Sequence, residues 1–177
     1  MCEVSQGLVR QDPKHFRDRG DFSVSSKAFP STAKVPSFFM TGYHFIDHPA
    51  DLGIEATGRS LIEAFEQAAV GLMSTILAIE LVQCRDSRVI SLQATDREQL
   101  LVKWLTEILY LYDGLKFAAG RFQIDELTST FLSAKVLGEP FSEDRHVTRL
   151  DVKAITYHQL VCEEDEAGAR VQVFLDI

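Results

Sequence analysis

Strand-like segments outnumber helical segments in this chain, and their order along the sequence leaves few possible folds. Short apolar or alternating runs predict seven strands, at residues 43–46, 52–57, 89–94, 122–127, 131–137, 151–162 and 171–175. Apolar residues with helical spacing predict two helices, one after the second strand and one after the third. Because the last four strands follow without an intervening helix, we predict an α+β fold with two core helices on a largely antiparallel or mixed β-sheet.

Capping residues mark the start of both predicted helices. Ser60 and Glu63 form a capping box, and the helix that they open is expected to end near residue 77. Asp96 and Gln99 have the same spacing at the start of the second helix. Since the second helix is apolar on most of its circumference, we expect it to be the central, buried helix.

The first 40 residues differ from the rest of the 177-residue chain. They show no clean period, contain Pro30 and Pro36, and carry a net charge of +2, whereas residues 41–177 carry −10. We therefore interpret 1–40 as a flexible leader and 41–177 as one domain, a size that supports a single core. Met40 stands directly before the first patterned segment and is a candidate for the true start.

Charge and composition exclude several classes of protein. The formal net charge of −8 disfavours independent nucleic-acid binding, because an acidic surface repels phosphates. Three widely spaced cysteines argue against a disulfide framework or a zinc site and favour a reducing compartment. No run has the length and composition of a membrane span or a signal peptide. We therefore expect a cytoplasmic protein, nuclear as well in a eukaryote, that does not act at a membrane.

Asp47, His48 and Asp51 crowd a five-residue segment between the first two predicted strands, with Pro49 in the turn. Carboxylates without nearby thiols suit a hard cation, such as Mg²⁺, Ca²⁺ or Mn²⁺. The alternative is an ordinary turn in which aspartate side chains cap backbone N–H groups. The segment alone leaves both interpretations open.

The last two residues place an acid and a free carboxyl group directly after an apolar strand. Ile177 favours burial, while its carboxylate and Asp176 require a cation or hydrogen-bond donors. A bound metal or a lysine would satisfy both demands. The alternative is an exposed, frayed terminus.

The segment 151–158 also mixes polar and apolar residues. Strand alternation would place Asp151 and Lys153 on one face and His158 on the other. This pattern predicts either a polar site or a solvated edge strand. We expect His146, in the preceding loop, to be a surface residue.

Taken together, these segments resemble the archease family over residues 43–177. The resemblance rests on motifs in the family's order: 43–51 (Tyr-x-Phe-x-Asp-His-Pro-Ala-Asp), 63–66 (Glu-Ala-Phe-Glu), 138–141 (Gly-Glu-Pro-Phe), 152–158 (Val-Lys-Ala-Ile-Thr-Tyr-His) and the final Asp-Ile. Two residues depart from the family pattern. Pro49 stands where the family usually has threonine, and Asp151 stands where it usually has glutamate.

The resemblance implies an accessory protein factor rather than an enzyme. Archeases assist the RtcB-type RNA-splicing ligase, which joins tRNA halves with GTP and Mn²⁺, and they promote its guanylylation and repeated turnover. The family's metal ligands correspond here to Asp51, Asp176 and Ile177, which would bind one divalent ion (Ca²⁺, Mg²⁺ or Mn²⁺). Contact with tRNA would be indirect, through the ligase. Possible residues around the metal or facing the partner are Asp47, His48, Asp151, Lys153 and His158.

Two other functions stay open at this point. One is a chaperone-like binding protein with a structural metal. The other is a metal-dependent hydrolase that uses Asp51 to hold the cation and His48 as the base. The lack of nucleotide-binding, zinc-protease and serine-hydrolase motifs argues against a hydrolase.

Overall fold

The computed structural model describes residues 41–47 and 51–177. The predicted leader 1–40, the turn residues 48–50 and the side chain of Asp47 lie outside the described residues. The elements are β1 (Gly42–Asp47), β2 (Leu52–Gly58), α1 (Leu61–Ile76), β3 (Asp86–Gln93), α2 (Arg97–Asp113), β4 (Phe117–Leu127), β5 (Phe131–Pro140), β6 (Ala154–Asp165) and β7 (Gly168–Asp176). A single 3₁₀ turn, Ile79–Leu81, follows α1.

The strands of the described region form two sheets. One sheet has the order β1-β2-β7-β6, and the other has the order β3-β5-β4. Every paired strand in both sheets is antiparallel. The predicted α+β class with two helices is confirmed, although the strands divide between two sheets instead of forming one.

The two helices form a layer between the sheets. α1 packs against β1, β2 and β7 of the four-stranded sheet and also against β4, while α2 packs against β6 and all three strands of the smaller sheet. The fully buried Trp104 of α2 donates its indole N–H to the main-chain oxygen of Phe65 in α1 at 3.1 Å. This arrangement buries one face of each sheet and leaves the other face outward. Neither described helix is long and apolar enough to cross a membrane.

α1, and not α2, is the more buried helix, so the prediction of a central second helix was wrong. Eleven of the 16 residues of α1 are buried, compared with seven of the 17 in α2. Small residues let α1 pack closely against the four-stranded sheet. A Cβ atom added to Gly71, for example, would lie 2.9 Å from Cγ2 of Ile54 in β2. α2 instead keeps an exposed face, on which Lys103 and Tyr110 lie.

Both predicted helix starts are confirmed. Ser60 is the N-cap of α1, and its Oγ accepts the backbone N–H of Glu63 at 3.4 Å. The Glu63 carboxylate accepts the N–H of Arg59, one residue before the cap, at 2.9 Å. Asp96 is the N-cap of α2 and accepts the N–H of Gln99 at 2.7 Å.

Residues 138–140 lie beyond the predicted end of the fifth strand at 137, but they are the last three residues of β5. A Cβ atom added to Gly138 would lie 2.0 Å from the main-chain oxygen of Ala118. The glycine therefore allows β4 and β5 to approach more closely than any other residue would. The strand therefore extends three residues beyond its predicted end.

β6 begins at Ala154, later than predicted, so Asp151 and Lys153 precede the strand. The predicted alternation also fails within the strand. Residues 157–160 leave the ladder between the pairs Thr156–Phe174 and Val161–Gln172, because a bulge interrupts the register.

The strand directions gather several chain segments at one end of the molecule, which we call the carboxylate end because it holds Asp51 and Asp176. β1 and β7 end there, and β2 and β6 begin there. The ends of both helices lie at the same end, because loop 141–153 bonds to each. Ala78 after α1 donates its N–H to the oxygen of Val147, and Phe141 donates to the oxygen of Lys116 after α2.

Candidate functional site

The register of β2 and β7 places Asp51 and Asp176 side by side. Leu52 is paired with Leu175, so continuing the register by one residue sets Asp51 opposite Asp176. Leu175 is fully buried toward the helices, and neighbours along a strand point to opposite faces. The two carboxylates therefore belong to the outer face of the four-stranded sheet, at the ends of its two central strands. Side chains on directly opposed residues have Cβ atoms about 5 Å apart, close enough to share an ion.

Lys153 fixes the chain immediately beyond Asp176. Its backbone N–H donates to the main-chain oxygen of Asp176 at 2.8 Å, which extends the pairing of β6 with β7. Its Nζ donates to the main-chain oxygen of Ile177 at 2.9 Å. The terminal residue was expected to need a cation or a hydrogen-bond donor, and among the described residues Lys153 supplies that donor.

Phe174 lies on the same outer face of the sheet as the two carboxylates, two residues before Asp176 on β7. Its ring is almost completely buried, and the ring of His158 contacts it edge-on with centroids 5.7 Å apart. Gly53 permits this arrangement, because an added Cβ would lie 3.0 Å from Cε1 of Phe174 and 2.9 Å from Cβ of Ile46. The bulge in β6 thus brings His158 over the ring that adjoins the carboxylates.

Asp151 lies in the loop before β6, two residues before Lys153. It contributes to the raised pKa of Tyr112 on α2, for which burial of the phenol is the largest cause, followed by the charges of Asp113 and Asp151. Asp151 therefore lies near the end of α2. Of the other predicted residues, His48 lies outside the described residues, and only the backbone of Asp47 is described, opposite Leu52.

The chemistry of this donor set fits a hard divalent cation. It consists of two carboxylates, whose charge balances that of the ion, together with main-chain oxygen at Ile177. Among the described residues there is no group of three or more His, Cys, Asp or Glu side chains placed to hold a metal. A cation here would therefore depend on main-chain oxygens, on the segment 47–50 or on water for its remaining ligands.

A second polar cluster at the carboxylate end was not predicted. His146 is buried, contrary to the expectation that it would lie at the surface, and its Nε2 lies 3.1 Å from Oε1 of the buried Glu139. Nδ1 of His146 accepts the N–H of Ser142 at 3.0 Å, so the neutral ring carries its proton on Nε2 and donates it to Glu139. Arg145 and the N–H of Gln83 complete the bonds to the carboxylate at 2.9 and 3.0 Å.

This cluster holds the pKa of Glu139 at about 2. The backbone N–H of Gln83 is the largest cause, burial opposes it, and Arg145 and His146 lower the pKa further. Local sequence pattern carries no sign of the cluster, because its members come from a strand end and two loops. The only pointer to Glu139 is its place in the motif at 138–141.

Comparisons with known proteins agree with the fold and with these motifs. A model of the archease protein family matches residues 43–177. The chain is 34% identical over 139 residues to the protein archease of Sulfolobus acidocaldarius, covering 78% of this chain and 100% of that protein. It is 41% identical over 140 residues to the protein archease of Saccharolobus solfataricus, with the same coverage of both chains.

A solved structure shows the same similarity in three dimensions. The solution structure of protein 1598 of Methanobacterium thermoautotrophicum is 32% identical, covers 78% of this chain and 100% of its own, and superposes with a TM-score of 0.65. The family match spans well over half of the chain, and both relatives are matched over their whole length. The chain therefore belongs to the archease family.

Proposed function

We propose that this protein is a metal-binding factor that activates an RtcB-type RNA-splicing ligase, promoting its guanylylation and its multiple turnover in tRNA splicing. It is an accessory factor, and the ligase performs the chemistry. The observation that carries the proposal is the register that sets Asp51 opposite Asp176 at the ends of the two central strands of the four-stranded sheet. Family membership supports the choice of partner.

The carboxylate end has the donors for one divalent ion, Ca²⁺, Mg²⁺ or Mn²⁺. Asp51, Asp176 and the main-chain oxygen of Ile177 would hold it, and Lys153 keeps the Ile177 oxygen in place. Bound there, the ion would supply a positive centre for the phosphate oxygens of a nucleotide. The bond from Lys153 limits the motion of the strand end, so the donors are arranged before the ion arrives.

The charge of the domain supports docking on a basic surface. Residues 41–177 hold twelve Lys and Arg against twenty-two Asp and Glu. Such an excess steers association with a cationic pocket and repels free RNA. The tRNA would therefore meet this protein only through the ligase.

A turnover assay tests the function. The ligase, GTP, Mn²⁺ and cleaved tRNA halves are mixed with and without the protein, and ligation events per ligase are counted. We expect repeated turnover with the wild-type chain and only a single round with Asp51→Asn, because the amide loses the charge that holds a cation. Asp125→Asn, at an exposed site on β4, is the matched control and should stimulate like wild type. Full stimulation by Asp51→Asn would exclude Asp51 from the site.

Metal content tests the site separately from the ligase. After equilibration with Mn²⁺ and desalting, elemental analysis should find metal in wild type and in Asp125→Asn, and strongly reduced metal in Asp176→Asn. A stabilising ion should also raise the unfolding temperature of wild type but not of Asp176→Asn. Equal metal content in all three proteins would remove Asp176 from the ligands.

A further inference from the structure

We propose that Leu81, Val147 and Leu150, which we call the apolar rim, form a docking surface for the RNA ligase beside the carboxylates. The inference rests on the proposed function and adds the contact surface to it. The partner that this surface fits is a protein with a cationic pocket bordered by apolar side chains.

Exposed apolar side chains are concentrated at the carboxylate end. Nine large hydrophobic residues of the described region are exposed, and six of them lie at this end: Leu81, Tyr110, Leu115, Val147, Leu150 and Ile177. Single exposed hydrophobic residues are ordinary, but a cluster around a polar site is typical of an interface. Elsewhere, Val89 stands on the smaller sheet at 79% exposure.

The rim is held in place by backbone bonds to the end of α1. The N–H of Leu150 donates to the oxygen of Thr75 at 3.2 Å, and the N–H of Arg149 donates to the oxygen of Ile76 at 2.8 Å. Val147 accepts from Ala78 at 2.9 Å. These bonds satisfy carbonyls that a helix end leaves without partners. They fix the backbone of the segment 147–150, while the side chains of Val147 and Leu150 remain exposed.

The side chains of the rim stay exposed although their backbone is fixed. Val147 is 58% exposed, Leu150 is 46% exposed, and Leu81 is 52% exposed on the 3₁₀ turn beside them. Leu81 lies close to Val147, because the main chain of Ala78 bonds both residues. A fixed backbone that presents apolar side chains loses little entropy when a partner covers it.

The charge of the surface around the apolar rim favours a basic partner. Four basic residues at this end already contact an acid or the Ile177 oxygen, namely Lys116, Arg145, Arg149 and Lys153. Glu143 and Asp144 are exposed in the same loop as the rim. The surface around the rim is therefore acidic, and it complements a basic protein.

The rim adjoins the proposed metal ligands. Leu150 is three residues from Lys153, whose Nζ contacts the Ile177 oxygen. Three residues span at most about 11 Å, so one partner can cover both surfaces. The rim would supply apolar anchoring, and the carboxylates would enter the cationic pocket.

The test compares ligase affinity among variants whose backbone bonds are kept. Val147→Ser combined with Leu150→Ser should raise the dissociation constant for the ligase about tenfold or more, because buried anchor residues dominate interfaces. Val89→Ser, at a still more exposed apolar site on β3, should bind within about twofold of wild type. Circular dichroism and thermal unfolding should be the same for all, since no core residue changes.

The outcomes separate the two proposals. If the wild-type protein neither binds the ligase nor raises its turnover, the proposed function is wrong, and the assignment of the rim is wrong as well. If wild type binds and Asp51→Asn loses stimulation while the double variant binds like wild type, the rim alone is overturned. Equal weakening by Val89→Ser would also overturn it, because the effect would then not depend on location.

Discussion

At the scale of single residues, the buried Glu139 is a group whose ionisation depends strongly on its surroundings. Its carboxylate accepts the Gln83 N–H and contacts Arg145 and His146, which together hold its pKa at about 2, well below its ordinary value of 4.5. A carboxylate with a lowered pKa stabilises the fold while it is charged in both states. Its contribution is complete above pH 4.5 and is lost as the pH falls toward 2.

Glu139→Gln should therefore change the pH dependence of stability. The amide cannot accept all three bonds as an anion does, because one of its two terminal atoms is a donor, so the variant should be less stable than wild type at pH 7. Between about pH 5 and pH 3 the free energy of unfolding of wild type should fall more steeply than that of the variant. Urea unfolding at several pH values measures both curves. If the two curves are parallel, Glu139 does not cause the loss of stability of wild type at low pH.

The same residues show where sequence reasoning stops. Asp51 was a candidate because it lies with Asp47 and His48 in one short segment, and Asp176 because it directly follows an apolar strand at the terminus. Only the register of β2 and β7 makes the two aspartates neighbours. His146 was placed at the surface because a charged loop surrounds it in the sequence. Its burial depends on Glu139, seven residues away, and on the ring of Phe141, with a centroid separation of 5.4 Å. Such partnerships leave no periodic signal in a sequence.

At the scale of elements, prediction succeeded where a local rule acts alone. Both helix starts were predicted because a side chain that accepts an N–H group three residues on needs no tertiary contact. The errors lie where tertiary contacts determine the structure. α1 is more buried than α2 because a small residue, Gly71, lets it pack closely against β2, and β5 continues to Pro140 because Gly138 lets the main chain of Ala118 approach. The bulge at 157–160 likewise follows from strand pairing.

Ser60 allows the capping contribution to be measured. Ser60→Ala should lower the free energy of unfolding by about 1 kcal/mol, because the N–H of Glu63 loses its acceptor. Ser60→Gly should cost only a few tenths of a kcal/mol, since glycine tolerates the cap position and leaves the N–H open to water. Chemical denaturation of both variants gives the comparison. An unchanged stability of Ser60→Ala would mean that the hydroxyl contributes no capping.

At the scale of the whole molecule, one topological fact organises the proposed site. The ends of β1, β7 and both helices, and the starts of β2 and β6, meet at the carboxylate end. Segments distant in the sequence, such as Asp51 and Asp176, therefore contribute to one surface. The order of helices and strands was readable from periodicity. The division into two sheets was not, because periodicity does not specify which strands pair.

The excess of acids in the domain leads to a prediction about salt. If the carboxylates meet a basic pocket, affinity for the ligase should fall as salt rises from about 50 to about 500 mM, because ions screen exposed charges. Asp51→Asn should flatten this dependence, since it removes one of the charges that the pocket meets. Val147→Ser with Leu150→Ser should weaken binding by the same factor at every salt concentration, since apolar contacts carry no charge. Titrations of the three proteins across the range measure the slopes. If all three slopes are the same as well as steep, the attraction comes from the net charge of the domain and not from Asp51.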